Sequence, residues 1–157
     1  MSSQAVSFLF PTAVRDQVLG QHRVLRELLH ESLQATTRAF QPEGPGLGEV
    51  ADLVRELRSR FRAHLAFEER SLVPVLANVD LWGPERVQEL LEEHDRQRAE
   101  LDTLVEGIAE EWDVERLSLT LRSLATDLLI DMEEEERGCV NANLLRDELM
   151  VVGTVRE

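Results

Sequence analysis

Apolar residues recur at helical spacing in four stretches of the chain, and each stretch is interrupted at a position that should face a core. In the last stretch Leu117, Leu121, Leu124 and Leu128 follow steps of four, three and four, one face of an α-helix. The next members of that series are Asp131 and Glu135, after which it is apolar again at Cys139, Ala142, Leu145 and Leu149. The stripe Val14, Val18, His22, Leu25, Leu29 is broken by His22. The stripe Leu53, Leu57, Phe61, His64, Glu68, Leu72, Val75 is broken by His64 and Glu68. The stripe Val87, Leu90, Leu91, His94, Leu101, Leu104, Ile108 is broken by His94. No alternating run or Asn-Gly hairpin signal suggests a strand.

The turn signals divide these stretches into helices. Pro11 or Thr12 opens the first, which runs to about residue 40. Gln41-Pro-Glu-Gly-Pro-Gly-Leu-Gly48 is an exposed interhelical loop. The second helix covers about 49–78, with Pro74 expected to kink it or stop it early. Asp80-Leu-Trp-Gly-Pro84 is the next turn, and the third helix covers about 84–111. Asp113 is an N-cap for a fourth helix over about 114–149. The expectation is an all-α, up-down-up-down four-helix bundle over residues 12–149, with a lead-in at 1–11 and a tail at 150–157.

Antiparallel packing brings the interruptions to one level. Six residues then converge: His22, His64, Glu68, His94, Asp131 and Glu135. Carboxylates are costly to bury unless paired, protonated or metal-bound. Three imidazoles and three carboxylates in a bundle core suit a metal centre.

Composition narrows the classes. The formal net charge is −14, and all 17 basic residues are arginine. That balance argues against phosphate-backbone binding and against anionic membrane surfaces. No apolar run approaches the ~20 residues of a membrane span. Val6–Phe10 lacks a basic segment ahead of it, so no signal peptide is expected. One cysteine excludes an internal disulfide framework and fits a reducing, cytoplasmic setting.

His64 and Glu68 lie one turn apart on one face, and Asp131 and Glu135 repeat that spacing. A carboxylate can bridge two cations. With Glu68 and Glu135 bridging, His22, His64, His94 and Asp131 become terminal ligands, and open positions remain where dioxygen, peroxide or nitric oxide bind iron.

These residues resemble the hemerythrin-like, or HHE, cation-binding family. Its pattern is a histidine on helix one, HxxxE on helix two, a histidine on helix three and HxxxE on helix four. The chain carries Gly-Gln-His22-Arg-Val-Leu-Arg, then His64-Leu-Ala-Phe-Glu68-Glu-Arg-Ser-Leu-Val-Pro74, then Glu-Glu-His94-Asp. The resemblance spans about residues 12–147 and implies a di-iron centre, with manganese or zinc as alternative metals. Two positions depart from it. Asp131 stands where a histidine is expected, and Arg98 stands four after His94, where a second histidine would complete an HxxxH pair. An Asp-containing site is harder, favours ferric iron and argues against reversible dioxygen carriage.

The functional expectation is a non-heme di-iron protein handling dioxygen, nitric oxide, peroxide or iron, with a protein partner if it is a sensor. The alternatives are a di-iron enzyme of the peroxidase, catalase or oxidase kind, and a metal-free interaction bundle. A ferritin-like centre needs two Glu-x-x-His motifs, and only Glu27–His30 is present, on a polar face. Asp131 has a competing reading as the partner of Arg62 or Arg98. Glu69, Glu92, Glu93, His30 and the run Glu133–Glu136 apart from Glu135 read as surface. Cys139 reads as a small buried residue or a redox thiol near the metals, and Trp82 and Trp112 as plugs of the bundle ends or the rim of an entrance.

Overall fold

The computed structural model describes residues 10–44 and 46–147. Helix α1 spans Pro11–Arg38, with the proline in its first turn where a missing N–H costs nothing. Helix α2 spans Leu47–Phe67, a π-helical turn follows over Glu68–Leu72, and α3 spans Val73–Val79. Helix α4 spans Gly83–Ala109 and α5 spans Val114–Gly138. The segment from α2 through α3 forms one arm of the bundle. α1 packs on α2 and α5, while α4 packs on α2, α3 and α5. The described residues contain no strand, and the all-α, up-down-up-down bundle is the observed architecture. The N-terminal residues before Phe10 and the tail at 150–157 lie outside the described residues.

Two apolar clusters form the core. The larger includes Leu25, Leu57, Phe61, Leu101, Leu104, Leu121 and Leu128. The smaller is built from Val14, Val18, Leu72, Leu76, Leu90, Val140 and Leu145. Each such buried side chain contributes about 1.5–3 kcal/mol. Every arm passes from one cluster to the other, and the histidines and carboxylates occupy the level between them.

The π turn answers the question posed by Pro74. Proline donates no backbone hydrogen bond, and its ring crowds the carbonyl four residues earlier. The chain widens its turn just before it, with Val73 N–H donating to the Glu68 carbonyl, five residues back. The helix continues instead of stopping. The extra residue in the turn shifts the inward series, so that Leu76, and not Val75, is fully buried.

The chain reverses sharply at both ends of α4. A Cβ on Gly83 would lie 2.2 Å from the Leu76 carbonyl oxygen, a close backbone approach that only glycine permits. Past the other end, Glu111 adopts a left-handed conformation at φ 59°. Its N–H donates to the Ile108 carbonyl and the Trp112 N–H to the Gly107 carbonyl, the Schellman pattern. Trp112 thereby folds over Gly107 and stacks under Arg116, 3.9 Å from its ring, so it does close a bundle end. Trp82 is 64% exposed and does not.

Helix α5 is shorter than its apolar series. Asp113 caps its start, accepting from the Arg116 N–H at 2.8 Å. The helix ends at Gly138 rather than near residue 149. The Asn141 side chain draws the chain into a turn, donating to the Arg137 carbonyl and accepting from the Leu144 N–H. Val140 and Leu145 then fold onto the smaller cluster, while Ala142 is exposed. Leu149 lies outside the described residues.

Candidate metal centre

The polar level sits between two apolar layers because helical periodicity turns each of its residues inward. His22 comes from the middle of α1, His64 from the last turn of α2, and Glu68 from the start of the π turn. His94 comes from α4, and Asp131 and Glu135 from the last two turns of α5. His22 and Glu68 are fully buried, His94 and His64 nearly so, and the Glu135 side chain is 9% exposed.

One ligand atom from each of His22, His64, Glu68 and Glu135 lies within 4.8 Å of the other three. His22 Nε2 is 3.2 Å from His64 Nε2, 3.5 Å from Glu68 Oε1 and 3.8 Å from Glu135 Oε1. His64 Nε2 approaches Glu68 Oε1 to 2.8 Å without an aligned hydrogen bond. Among the described residues, the buried oxygens Glu68 Oε1 and Glu135 Oε1 both lack a hydrogen-bond partner. An orphaned buried acceptor normally costs about 1–3 kcal/mol, more when charged. Donors around one ion, with bonds of about 2.1 Å, lie within roughly 4.2 Å of one another, close to the observed spread. The donor set therefore fits a cation.

The far sides of the rings point the same way. His22 Nδ1 lies 3.1 Å from Glu136 Oε1, His64 Nδ1 lies 2.7 Å from Gln21 Oε1, and His94 Nδ1 lies 3.1 Å from Glu69 Oε1. With oxygen acceptors there, Nδ1 carries the N–H and Nε2 is the nitrogen that can coordinate. Each acceptor belongs to a different arm from the ring it serves. Gln21 on α1 orients His64 on α2, Glu69 on the π turn orients His94 on α4, and Glu136 on α5 orients His22 on α1. Two acceptors are themselves fixed by arginine: Arg26 binds Glu136 with two 2.7 Å hydrogen bonds, and Arg98 donates to Glu69 at 2.7 Å.

A sequence profile of the Hemerythrin HHE cation binding domain matches residues 13–141. The chain belongs to the hemerythrin HHE cation-binding family. Comparison with curated proteins and with solved structures returned no match. Membership makes cation binding the coarse function, and the four converging side chains are the candidate site within it.

The two remaining residues of the HHE pattern stand apart from that group of four. His94 Nε2 faces the other oxygen of Glu68, Oε2, at 2.9 Å. Asp131 Oδ2 accepts from Arg96 at 3.0 Å and from Gln97 Nε2 at 3.1 Å. Its arginine partner is thus Arg96, not Arg62 or Arg98. Arg62 lies against Asp102 instead, and Arg98 against Glu69.

The charges at this level are strongly coupled. Burial alone would raise the Glu68 carboxyl, but the imidazoles of His22, His64 and His94 gathered around it outweigh burial and hold it well below the usual carboxylate range. Burial and the negative Glu68 push Glu135 well above that range. Burial would lower His94, yet Glu68 and Glu69 on its two sides raise it. Burial also pushes the Cys139 thiol up to about 11, the state of an unreactive thiol and not of a redox thiolate.

Gln21, Glu69 and Glu136 escaped the periodic reading because none lies on an inward stripe, and Glu69 and Glu136 read there as surface. A signal was available, since each immediately precedes or follows an inward histidine or carboxylate in sequence, about 100° round the helix. From that position it flanks the next arm. Glu93, beside His94, is likewise half-buried rather than surface.

Proposed function

We propose that the polar level is a non-heme iron centre at which the chain handles dioxygen, nitric oxide or peroxide. The observation that carries this reading is the convergence of His22, His64, Glu68 and Glu135 with two buried carboxylate oxygens left without hydrogen bonds. In a two-iron form, those four residues would hold one ion, and His94 and Asp131 would serve the second together with the Glu68 and Glu135 carboxylates. Imidazole and carboxylate donors suit iron, manganese and zinc. Iron would supply redox chemistry and open coordination positions. The chain's own residues do the rest. Gln21, Glu69 and Glu136 hold the imidazoles in one tautomer, and the two apolar clusters exclude water along the bundle axis. A cytoplasmic setting, consistent with the single cysteine, belongs to the same proposal. If the chain acts as a sensor, a protein partner carries the output.

A second reading, an enzyme turning over peroxide, draws on a separate observation. A cavity of about 470 Å³ opens between α1 and α2, lined by Gln17, Gly20, Gln21, Val24 and Arg60 among others, and it reaches His64. It offers a small molecule a way to the outer edge of the site.

The deciding measurement is metal content per chain, with the visible spectrum, of protein from iron-supplemented cells. Bound iron that is lost in His64→Ala and Glu68→Ala is the expected result. Reversible spectral change with dioxygen or nitric oxide would favour the binding protein, and peroxide turnover abolished by the same substitutions would favour the enzyme. Wild-type protein that takes up no metal and melts at the same temperature with and without chelator would overturn the proposal and leave an interaction bundle.

A further inference from the structure

The two halves of the polar level differ in what already neutralises their carboxylates. Among the described residues no arginine pairs with Glu68 or Glu135, and the donor atoms of His22, His64, Glu68 and Glu135 face one another directly. Around His94 and Asp131 the cation is part of the chain. The Arg96 guanidinium donates to Asp131 Oδ2 at 3.0 Å and lies 3.8 Å from Glu93 Oε1 and 3.7 Å from Glu100 Oε1. Gln97, only 5% exposed, adds its amide to two of these three carboxylates, 3.1 Å from Asp131 and 3.3 Å from Glu93. Asp131 is thereby drawn toward α4 and out of the group of four.

We propose that Arg96 is a built-in competitor for the second metal ion, so that the centre loads in two unequal steps. This rests on the reading of the polar level as a metal centre. The first step uses His22, His64, Glu68 and Glu135 and asks no residue to give up a partner of opposite charge. The second needs Asp131, and Asp131 must first release the Arg96 guanidinium. Arg96 is 47% exposed at its side chain, so it can swing into solvent without disturbing the core. Its departure leaves Glu93, Asp131 and Glu100 to be balanced by the incoming cation. That exchange is feasible because the corner carries more negative charge than one arginine neutralises. Arg96 therefore tunes occupancy rather than forbidding it. At low metal the chain holds one ion, and the second enters only when metal is abundant.

The test titrates metal-free protein with manganese(II), reading free ion by its paramagnetic resonance signal, in wild type, Arg96→Gln and Arg55→Gln. Arg55 pairs with Asp52 toward the far end of the bundle, so its loss removes the same charge without touching Asp131. A half-exposed ion pair is worth little by itself, but removing a positive charge beside an incoming divalent ion adds to it, and together about tenfold is expected. The expected result has three parts: two separable steps in wild type, a second step tightened about tenfold in Arg96→Gln with the first unchanged, and no change in Arg55→Gln. A single step in wild type that becomes two in Arg96→Gln would support the same conclusion. Two indistinguishable steps in wild type, or an Arg96→Gln isotherm identical to wild type, would overturn it while leaving the metal centre in place. One step in all three proteins would do the same. Absence of binding in every protein would overturn this inference together with the metal reading on which it rests.

Discussion

The same four arms build a leucine level and a polar level, and the two differ in one respect only. At the leucine level the inward positions are Leu57, Phe61, Leu101, Leu104, Leu121 and Leu128, none more than 1% exposed. A short way along the axis the inward positions are His22, His64, Glu68 and His94, all of them buried and none more than 4% exposed. Helical periodicity decides which residues face inward. The chemistry of those residues decides whether the level holds the bundle together or holds something else. One bundle can thus separate its stability from its function by height along a single axis.

The sharpest way to break that comparison is to cut each level in turn. Leu121→Ala, at a fully buried site, is expected to lower stability by about 2–5 kcal/mol in denaturant unfolding while metal content stays at the wild-type value. Coupled loss of metal would mean that the levels are not separable. At the polar level, an ion present at a hundred to a thousand times its dissociation constant adds about 2.7–4.1 kcal/mol. Chelation should therefore lower the melting temperature of wild type and leave that of Glu68→Gln unmoved. An equal response in both proteins would break the assignment of Glu68. Glu136→Ala, which removes only the outer acceptor of His22, is expected to weaken metal binding about 10–100-fold, read by competition with a chelator, with the fold retained.

Outside both levels the effects should be smallest. The Arg86 guanidinium, which donates to Asp80 at 2.6 Å, holds the Asp80 carboxyl below its ordinary 3.8. A carboxyl lowered on folding stabilises above its unfolded value and loses that contribution as pH falls through the folded one. Asp80→Asn should therefore melt slightly below wild type at pH 7, and the gap should close below about pH 4. A gap that persists in acid would trace the effect to something other than this charge.

The inward residues were legible because periodicity reports on direction, and direction is what a core position is. His22, His64, Glu68, His94 and Glu135 could be assigned to one level from spacing alone. The π turn was not legible in detail. Pro74 announced a disturbance, but whether a helix breaks or widens depends on whether Leu72 and Leu76 still find the core beyond it. The end of α5 was misread for a related reason. The apolar series runs on through Leu145 whether the chain stays helical or folds back, and Asn141 settles the matter through a local side-chain bond that no periodicity records. Asp131 shows the remaining limit. Its place in the stripe was plain, but the arginine that holds it, Arg96 rather than Arg62 or Arg98, follows from α4 packing beside α5.

The outer acceptors have a consequence for how the bundle tolerates slippage. Leucine levels are interchangeable, so one helix could slide by a turn, about 5.4 Å, and still find apolar neighbours. The polar level allows no such freedom. A slip of α1 would carry His22 away from Glu136 and, in the same movement, Gln21 away from His64, spoiling two imidazoles on two arms. A slip of the arm carrying the π turn would displace its own His64 and also the Glu69 that steadies His94. The centre thus acts as a gauge of axial alignment. A four-residue insertion in α1 or α2 on either side of it, close to one full turn, should leave a folded bundle in which more than one histidine has lost its bearing.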